Sequence, residues 1–188
     1  MNYQIFMGGY HVTFEDAEAL KSHMVDVVIR GEGEEVIGKV VDCLGDHRPK
    51  SSLYEIPGLS FLVNEKIYST DPDILRVKDL DKIPIPKRSY LRTDLYRNTG
   101  TIISSRGCVG KCQFCAAGAF GAIRTRSAEN VAYEIETLYN QGTKNIYFVD
   151  NTFASNRKRA IQIFQILDQK GIKINCFIEA RVTEVDEE

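Results

Sequence analysis

The sequence predicts an α/β chain made of two successive arrays of parallel strands and helices. Three observations carry this. Short apolar, often β-branched runs alternate with longer stretches whose apolar residues recur at helical spacing, once near the start and again after residue 99. All five prolines, Pro49, Pro57, Pro72, Pro84 and Pro86, fall between those two regions. Proline breaks helices and central strands, so this middle stretch reads as a connector. The 188 residues are enough for one ordinary domain or two small ones. The expected division is 1–48, 49–98 and 99–188.

In chain order, Gln4-Ile5-Phe6-Met7 reads as a short strand ending in Gly8-Gly9. A helix is expected from Thr13 as N-cap, with Glu15, Asp16 and Glu18 in its first turns, where the dipole favours acids. Val25-Asp26-Val27-Val28-Ile29-Arg30 is a β-branched run typical of a buried strand. Gly31 and Gly33 read as turn residues, and Glu32, Glu34 and Glu35 as an acidic first turn of the next helix. That helix should bury Val36, Ile37, Val40, Val41 and Leu44. In the connector, Leu59–Val63 and Lys66–Tyr68 flank Asn64-Glu65, a hairpin signal because Asn tolerates positive φ. Leu80 to Pro86 reads as extended.

The third region follows both periods. Thr101–Ser105 is expected as a strand. Ser127 should cap a helix whose apolar stripe is Val131, Ile135 and Leu138, with Gly142 as its stop. A second strand is expected over 145–150. A second helix over 156–170 should turn Ala160, Ile163, Phe164 and Leu167 inward, with Gly171 as stop. A third strand is expected over 172–178, and 185–188 would begin a further helix.

The chemistry concentrates in the loop Ser104–Cys115. Cys108, Cys112 and Cys115 stand at C-x3-C-x2-C spacing, and no disulfide can use all three. Three thiolates so close can face one centre only if the backbone bends sharply, which Gly107, Gly110 and Gly118 allow. Soft thiolates select zinc, copper(I) or iron–sulfur clusters. A zinc finger usually shows a second pair of ligands at a set distance. Here Cys176 and the three histidines, His11, His23 and His47, lie far away. Three ligands leave one coordination position open. A structural zinc loop remains the plainer alternative.

Composition sets the remaining bounds. Hydrophobic residues make up 43% and charged residues 27%, with formal charge −2. No global field points to nucleic acid or an anionic membrane. No apolar run approaches the ~18 residues needed to span a bilayer, and the N-terminus has no signal-peptide pattern. Five cysteines, three of them clustered, argue for a reducing cytoplasm.

The cysteine spacing, with Phe114 just before the last cysteine and a strand just before the loop, resembles the cluster loop of the radical SAM (S-adenosylmethionine) superfamily. The Gly8-Gly9-x-His11 and Asp26–Glu34 stretches, the hairpin and the D-L-D-x-I-P-x-P run at Asp79–Pro86 resemble members with a cobalamin-binding domain before the barrel. The resemblance implies a partial radical SAM βα barrel, about three of six βα units, preceded by the last βαβα part of a Rossmann-like cobalamin-type domain. Cys108, Cys112 and Cys115 would hold a 4Fe-4S cluster, with S-adenosylmethionine on the open iron. Its reductive cleavage to a 5′-deoxyadenosyl radical, or methyl transfer, would act on an unidentified small molecule. An electron donor such as a flavodoxin or ferredoxin is implied.

Phe114 would pack beside the adenine. Asp150, at the end of the second strand, would meet the ammonium of S-adenosylmethionine, in a place where the family often has G-G-E. Glu179 and Arg181, at the end of the third strand, are further candidates for contact with S-adenosylmethionine or substrate. The family's cobalt-ligating D-x-H-x-x-G motif is missing, so cobalamin is not expected in this chain, although a full-length protein could carry it. A chain holding half a barrel could also be an inactive gene fragment, or a cluster- or zinc-binding module without catalysis.

Overall fold

The computed structural model describes residues 3–45, 50–71, 73–92 and 99–185. Pro49, Pro72 and the helix expected from 185–188 onward lie wholly or mostly outside the described residues. The chain divides into two compact units, Met1–Val77 and Lys78–Glu188.

The first unit is a four-stranded sheet in the order β1 (Phe6–Gly8), β2 (Val27–Ile29), β3 (Leu59–Val63), β4 (Lys66–Ser69). β1 and β2 are parallel, joined through α1 (Tyr10–Phe14) and α2 (Asp16–Lys21). The hairpin, read in the sequence as connector, is part of this sheet: β3 runs antiparallel to β2 and to β4. Asn64 and Glu65 both take positive φ at its turn. Strand alternation sends Val27, Ile29, Leu59 and Phe61 toward Val40 and Leu44 of α3 (Ile37–Gly45), and Val28 toward Val12 and Leu20.

Four expectations are corrected in this unit. Thr13 is not an N-cap but lies inside α1, where its hydroxyl donates to the Gly9 carbonyl and accepts from the Gly31 amide. Ile37 and Val41 are exposed, because the face turned to the sheet carries Val40 and Leu44, with Val36 just before the helix. Glu32 precedes the helix and is buried, accepting the Val77 amide at 2.7 Å. Gly31 sits against Leu75, with which it forms a β-bridge.

The second unit centres on a parallel sheet in the order β5 (Thr99–Ile102), β8 (Asn145–Phe148), β9 (Asn175–Phe177). The crossovers carry α4 (Ala128–Asn140) and α5 (Arg157–Gln169). Ser127 caps α4 as expected, accepting the Asn130 amide, and Asn156 caps α5 by accepting the Arg159 amide. Ile102, Ile146 and Phe148 pack on Val131, Ile135 and Leu138 of α4 and on Ile163 and Leu167 of α5. Both helices therefore cover one face of the sheet. Phe164 is partly exposed rather than inward; it meets the Phe153 ring edge-on at 6.1 Å. Each strand is shorter than expected. Ser105 and Arg106 leave the sheet to form β6, antiparallel to β7 (Arg124–Thr125).

Candidate metal centre

The cysteine loop is closed at its base. β6 and β7 pair Ser105 with Thr125 and Arg106 with Arg124, so residues 107–123 form a ring pinched by a two-residue ladder. Gly107 opens the ring with φ 85°. A Cβ there would lie 2.7 Å from the carbonyl oxygens of both Gly121 and Ala122, so only glycine fits. Inside the ring, Gly118 lies against the Gly110 carbonyl, and Ala117 and Phe120 are buried from the short 3-10 helix Ala116–Phe120.

Cys108, Cys112 and Cys115 all lie within this ring as free thiols, Cys112 and Cys115 exposed and Cys108 half-buried. The Cys115 amide donates to the Cys112 carbonyl, which turns the chain between them. The Gly110 amide donates to Cys108 Sγ at 3.3 Å. A Cβ on Gly110 would sit 3.3 Å from Cys108 Sγ and 3.7 Å from Cys112 Sγ, so the missing side chain leaves room between two sulfurs. Among the described residues, no three Cys, His, Asp or Glu side chains are gathered closely enough to grip a metal ion. What the ring offers is a soft donor set, a glycine cradle and an amide directed at sulfur, which fit a thiolate-ligated cluster.

Asp150 does not stand open at the strand end. It is buried, and its carboxylate accepts the Ser104 amide at 2.6 Å, the Ser104 hydroxyl at 2.5 Å and the Ser105 hydroxyl at 2.7 Å. Arg159 lies 4.0 Å away. The expected ammonium contact is thus replaced by contacts to the chain itself, because the serines just before the loop fold back over the strand end. Phe114 is 93% exposed on the loop. Glu179 is exposed and accepts the Tyr147 hydroxyl at 2.6 Å, which raises the Tyr147 phenol pKa above its ordinary value. Tyr147 lies between Thr101 and Phe177 in register, on the sheet face opposite the helices. Arg181 is exposed and starts the turn Val182–Glu184, its amide donating to Glu184. Cys176 packs against the core, and burial pushes its thiol pKa up.

Sequence reasoning missed a buried charge network beneath the loop. Glu134 of α4 takes Arg88 at 2.6 Å on one oxygen and Arg126 at 2.5 Å on the other. β5 is at the edge of the described sheet, and carbonyls of the strand and of the two residues after it are covered in turn: Thr101 by Arg88, Ile103 by Arg126, Ser104 by Arg159. Burial lowers the Arg159 pKa, Asp150 pulls it back up, and Arg126 lowers it. One signal was available: Glu134 stands inside the apolar stripe of Val131, Ile135 and Leu138.

The radical SAM superfamily model matches residues 102–188. Over 99% of its length the chain is 37% identical to an uncharacterized methyltransferase of Pyrococcus horikoshii, covering 41% of that protein. It is 30% identical to an anaerobic magnesium-protoporphyrin IX monomethyl ester cyclase of Cereibacter sphaeroides over 95% of its length, covering 31% of the cyclase. The chain therefore spans well under half of these relatives. Its fold is that of two solved enzymes. TsrM from Kitasatospora setae, a radical S-adenosylmethionine methyltransferase with cobalamin and a 4Fe-4S cluster bound, matches at TM-score 0.74 and 16% identity, over 98% of this chain and 38% of that one. The cobalamin-dependent S-adenosylmethionine radical enzyme OxsB matches at TM-score 0.73 and 20% identity, over 92% and 25%. With its cysteine ring beyond the end of β5, this chain resembles the radical SAM superfamily, whose model it matches from Ile102 to Glu188.

Proposed function

We propose that Cys108, Cys112 and Cys115 hold a 4Fe-4S cluster that binds S-adenosylmethionine, and that the chain serves in a methyl-transfer or related radical reaction. The observation that carries this is the closed ring, which puts three free thiols on one glycine-hinged loop at the carboxyl end of a parallel strand. When bound, the cluster and S-adenosylmethionine supply reductive cleavage of the sulfonium; the organic chemistry is theirs.

The chain's residues bind and orient. The Gly110 amide donates to Cys108 Sγ and orients it. Phe114, exposed beside Cys115, offers an apolar face to the adenine. Glu179, oriented by Tyr147, offers a carboxylate to an ammonium group or a substrate donor. Arg181 offers a fork to a carboxylate. Asp150 acts through Ser104 and Ser105 and positions the loop. The electron comes from an external donor such as a flavodoxin or ferredoxin. Cobalamin is carried by the solved relatives, and no cobalt ligand is assigned here. No described helix is long and apolar enough to cross a membrane.

Anaerobic reconstitution with iron and sulfide tests the proposal. About four irons per chain are expected, with a change in the cluster's electron paramagnetic resonance on adding S-adenosylmethionine. A single zinc per chain, or a cluster indifferent to S-adenosylmethionine, would reject it. Cys108→Ser, Cys112→Ser and Cys115→Ser should each lower the iron content.

A further inference from the structure

We propose that Arg159 is a positioning residue for the cysteine ring, a staple across its two stems that sets the metal affinity of the thiols. This rests on the ring being a metal-binding loop. Arg159 lies on α5, far in sequence from the cysteines, and is 7% exposed. Its Nη1 donates to the Ser104 carbonyl at 3.1 Å and to the Arg126 carbonyl at 3.4 Å. Ser104 immediately precedes β6 and Arg126 immediately follows β7, so a single nitrogen touches both ends of the ring's base. Its Nη2 donates to the Ser104 hydroxyl at 3.1 Å. The Arg126 amide donates to the same Ser104 carbonyl at 2.9 Å, which closes the junction.

The guanidinium is itself held. Asp150 faces it at 4.0 Å and binds the other side of the Ser104 hydroxyl. The Phe153 ring lies under it, 5.8 Å from centroid to Cζ. Asn156 fixes the Arg159 backbone by capping α5. Position and direction are therefore set before any metal arrives. A lysine has one ammonium and no planar fork, so it cannot span two carbonyls and a hydroxyl at once. A ladder of two residues is short. Loss of the staple should let the stems part and spread the three sulfurs.

The test is anaerobic titration of the metal-free chain with cobalt(II), reading the sulfur-to-cobalt charge-transfer band and the affinity, alongside thermal unfolding. Arg159→Lys and Arg159→Met should remain folded and bind cobalt about 10–100-fold more weakly, the range seen when a partner outside the ligand shell is removed. Lys should be the milder of the two. A purely structural role would lower the melting temperature and leave cobalt affinity in the folded variant unchanged, and that result overturns the proposal. If neither variant folds, hydrogen exchange in the wild-type chain decides. Coupling is reciprocal, so cobalt must slow exchange of the Arg159 guanidinium protons and of the Arg126 amide; unchanged rates overturn the staple. Absence of cobalt binding by the wild type would instead reject the metal-binding reading of the ring.

Discussion

Ser104 gives both of its donors to Asp150: its amide to one carboxylate oxygen at 2.6 Å, its hydroxyl to the other at 2.5 Å. The pair joins the end of β5 to the end of β8, at the point where the cysteine ring leaves the sheet. Removing the carboxylate leaves three buried donors without their acceptor and the buried Arg159 guanidinium without its counter-charge. Asp150→Ala should therefore cost about 3–5 kcal/mol, as breaking a buried ion pair from one side does. Asp150→Asn, which keeps an acceptor, should cost less. Urea unfolding of both variants checks this.

Gly107→Ala should damage the ring more than the sheet. The new Cβ would meet two carbonyl oxygens at 2.7 Å while the backbone keeps φ 85°. Positive φ alone costs about 1–3 kcal/mol for a non-glycine residue. Iron uptake should fall sharply while the far-ultraviolet dichroism of the helices is kept. Full iron uptake by the variant would refute the account of the closed base.

Glu134 sits between Arg88 and Arg126 and is almost wholly buried. Glu134→Ala strands two guanidinium groups and should destabilise by about 3–5 kcal/mol. Glu134→Gln should recover part of this by accepting one of the two donors. Equilibrium denaturation separates the three proteins.

The Tyr147 phenol is raised by Glu179, first through the hydrogen bond and then through the negative charge. A raised phenol favours the protonated form, so its contribution is complete below the ordinary phenol pKa and is lost as pH climbs through the raised one. In Glu179→Gln the Tyr147 titration should move to lower pH. Tyrosinate absorbance, with Tyr147→Phe as the blank, reads the shift.

Thiol reactivity should sort the cysteines. In the metal-free chain Cys112 and Cys115 are exposed, whereas Cys176 is half-buried with a raised pKa. The thiolate is the nucleophile. Iodoacetamide near neutral pH should therefore mark Cys112 and Cys115 first and Cys176 last, and raising the pH should speed Cys176. Mass spectrometry of the digested protein gives the order.

What the sequence made legible was local. Ser127, Gly142 and Gly171 bound the two helices of the second unit to within two residues, because caps and stops act on the nearest turn. The three cysteines and their glycines were legible for the same reason. The ends of the strands were not. Ser104, Ser105 and Asp150 satisfy one another across a long stretch of chain, and neither period nor propensity reports such a contact. Arg159 was unreadable as a staple because its partners, Ser104 and Arg126, lie on other elements. Thr13 misled because its hydroxyl reaches back four residues to Gly9 instead of capping forward. The hairpin was legible from Asn64, but its attachment to β2 was not, since pairing partners are chosen by the sheet.

The alternation along β8 divides that strand between two kinds of selection. Ile146 and Phe148 answer to α4 and α5, and any change there is felt as lost stability. Asn145, Tyr147 and Val149 face the other way, so mutation can explore new specificities there while the scaffold survives. A lineage carrying this sheet can diversify its chemistry by drift at every second letter of one short strand.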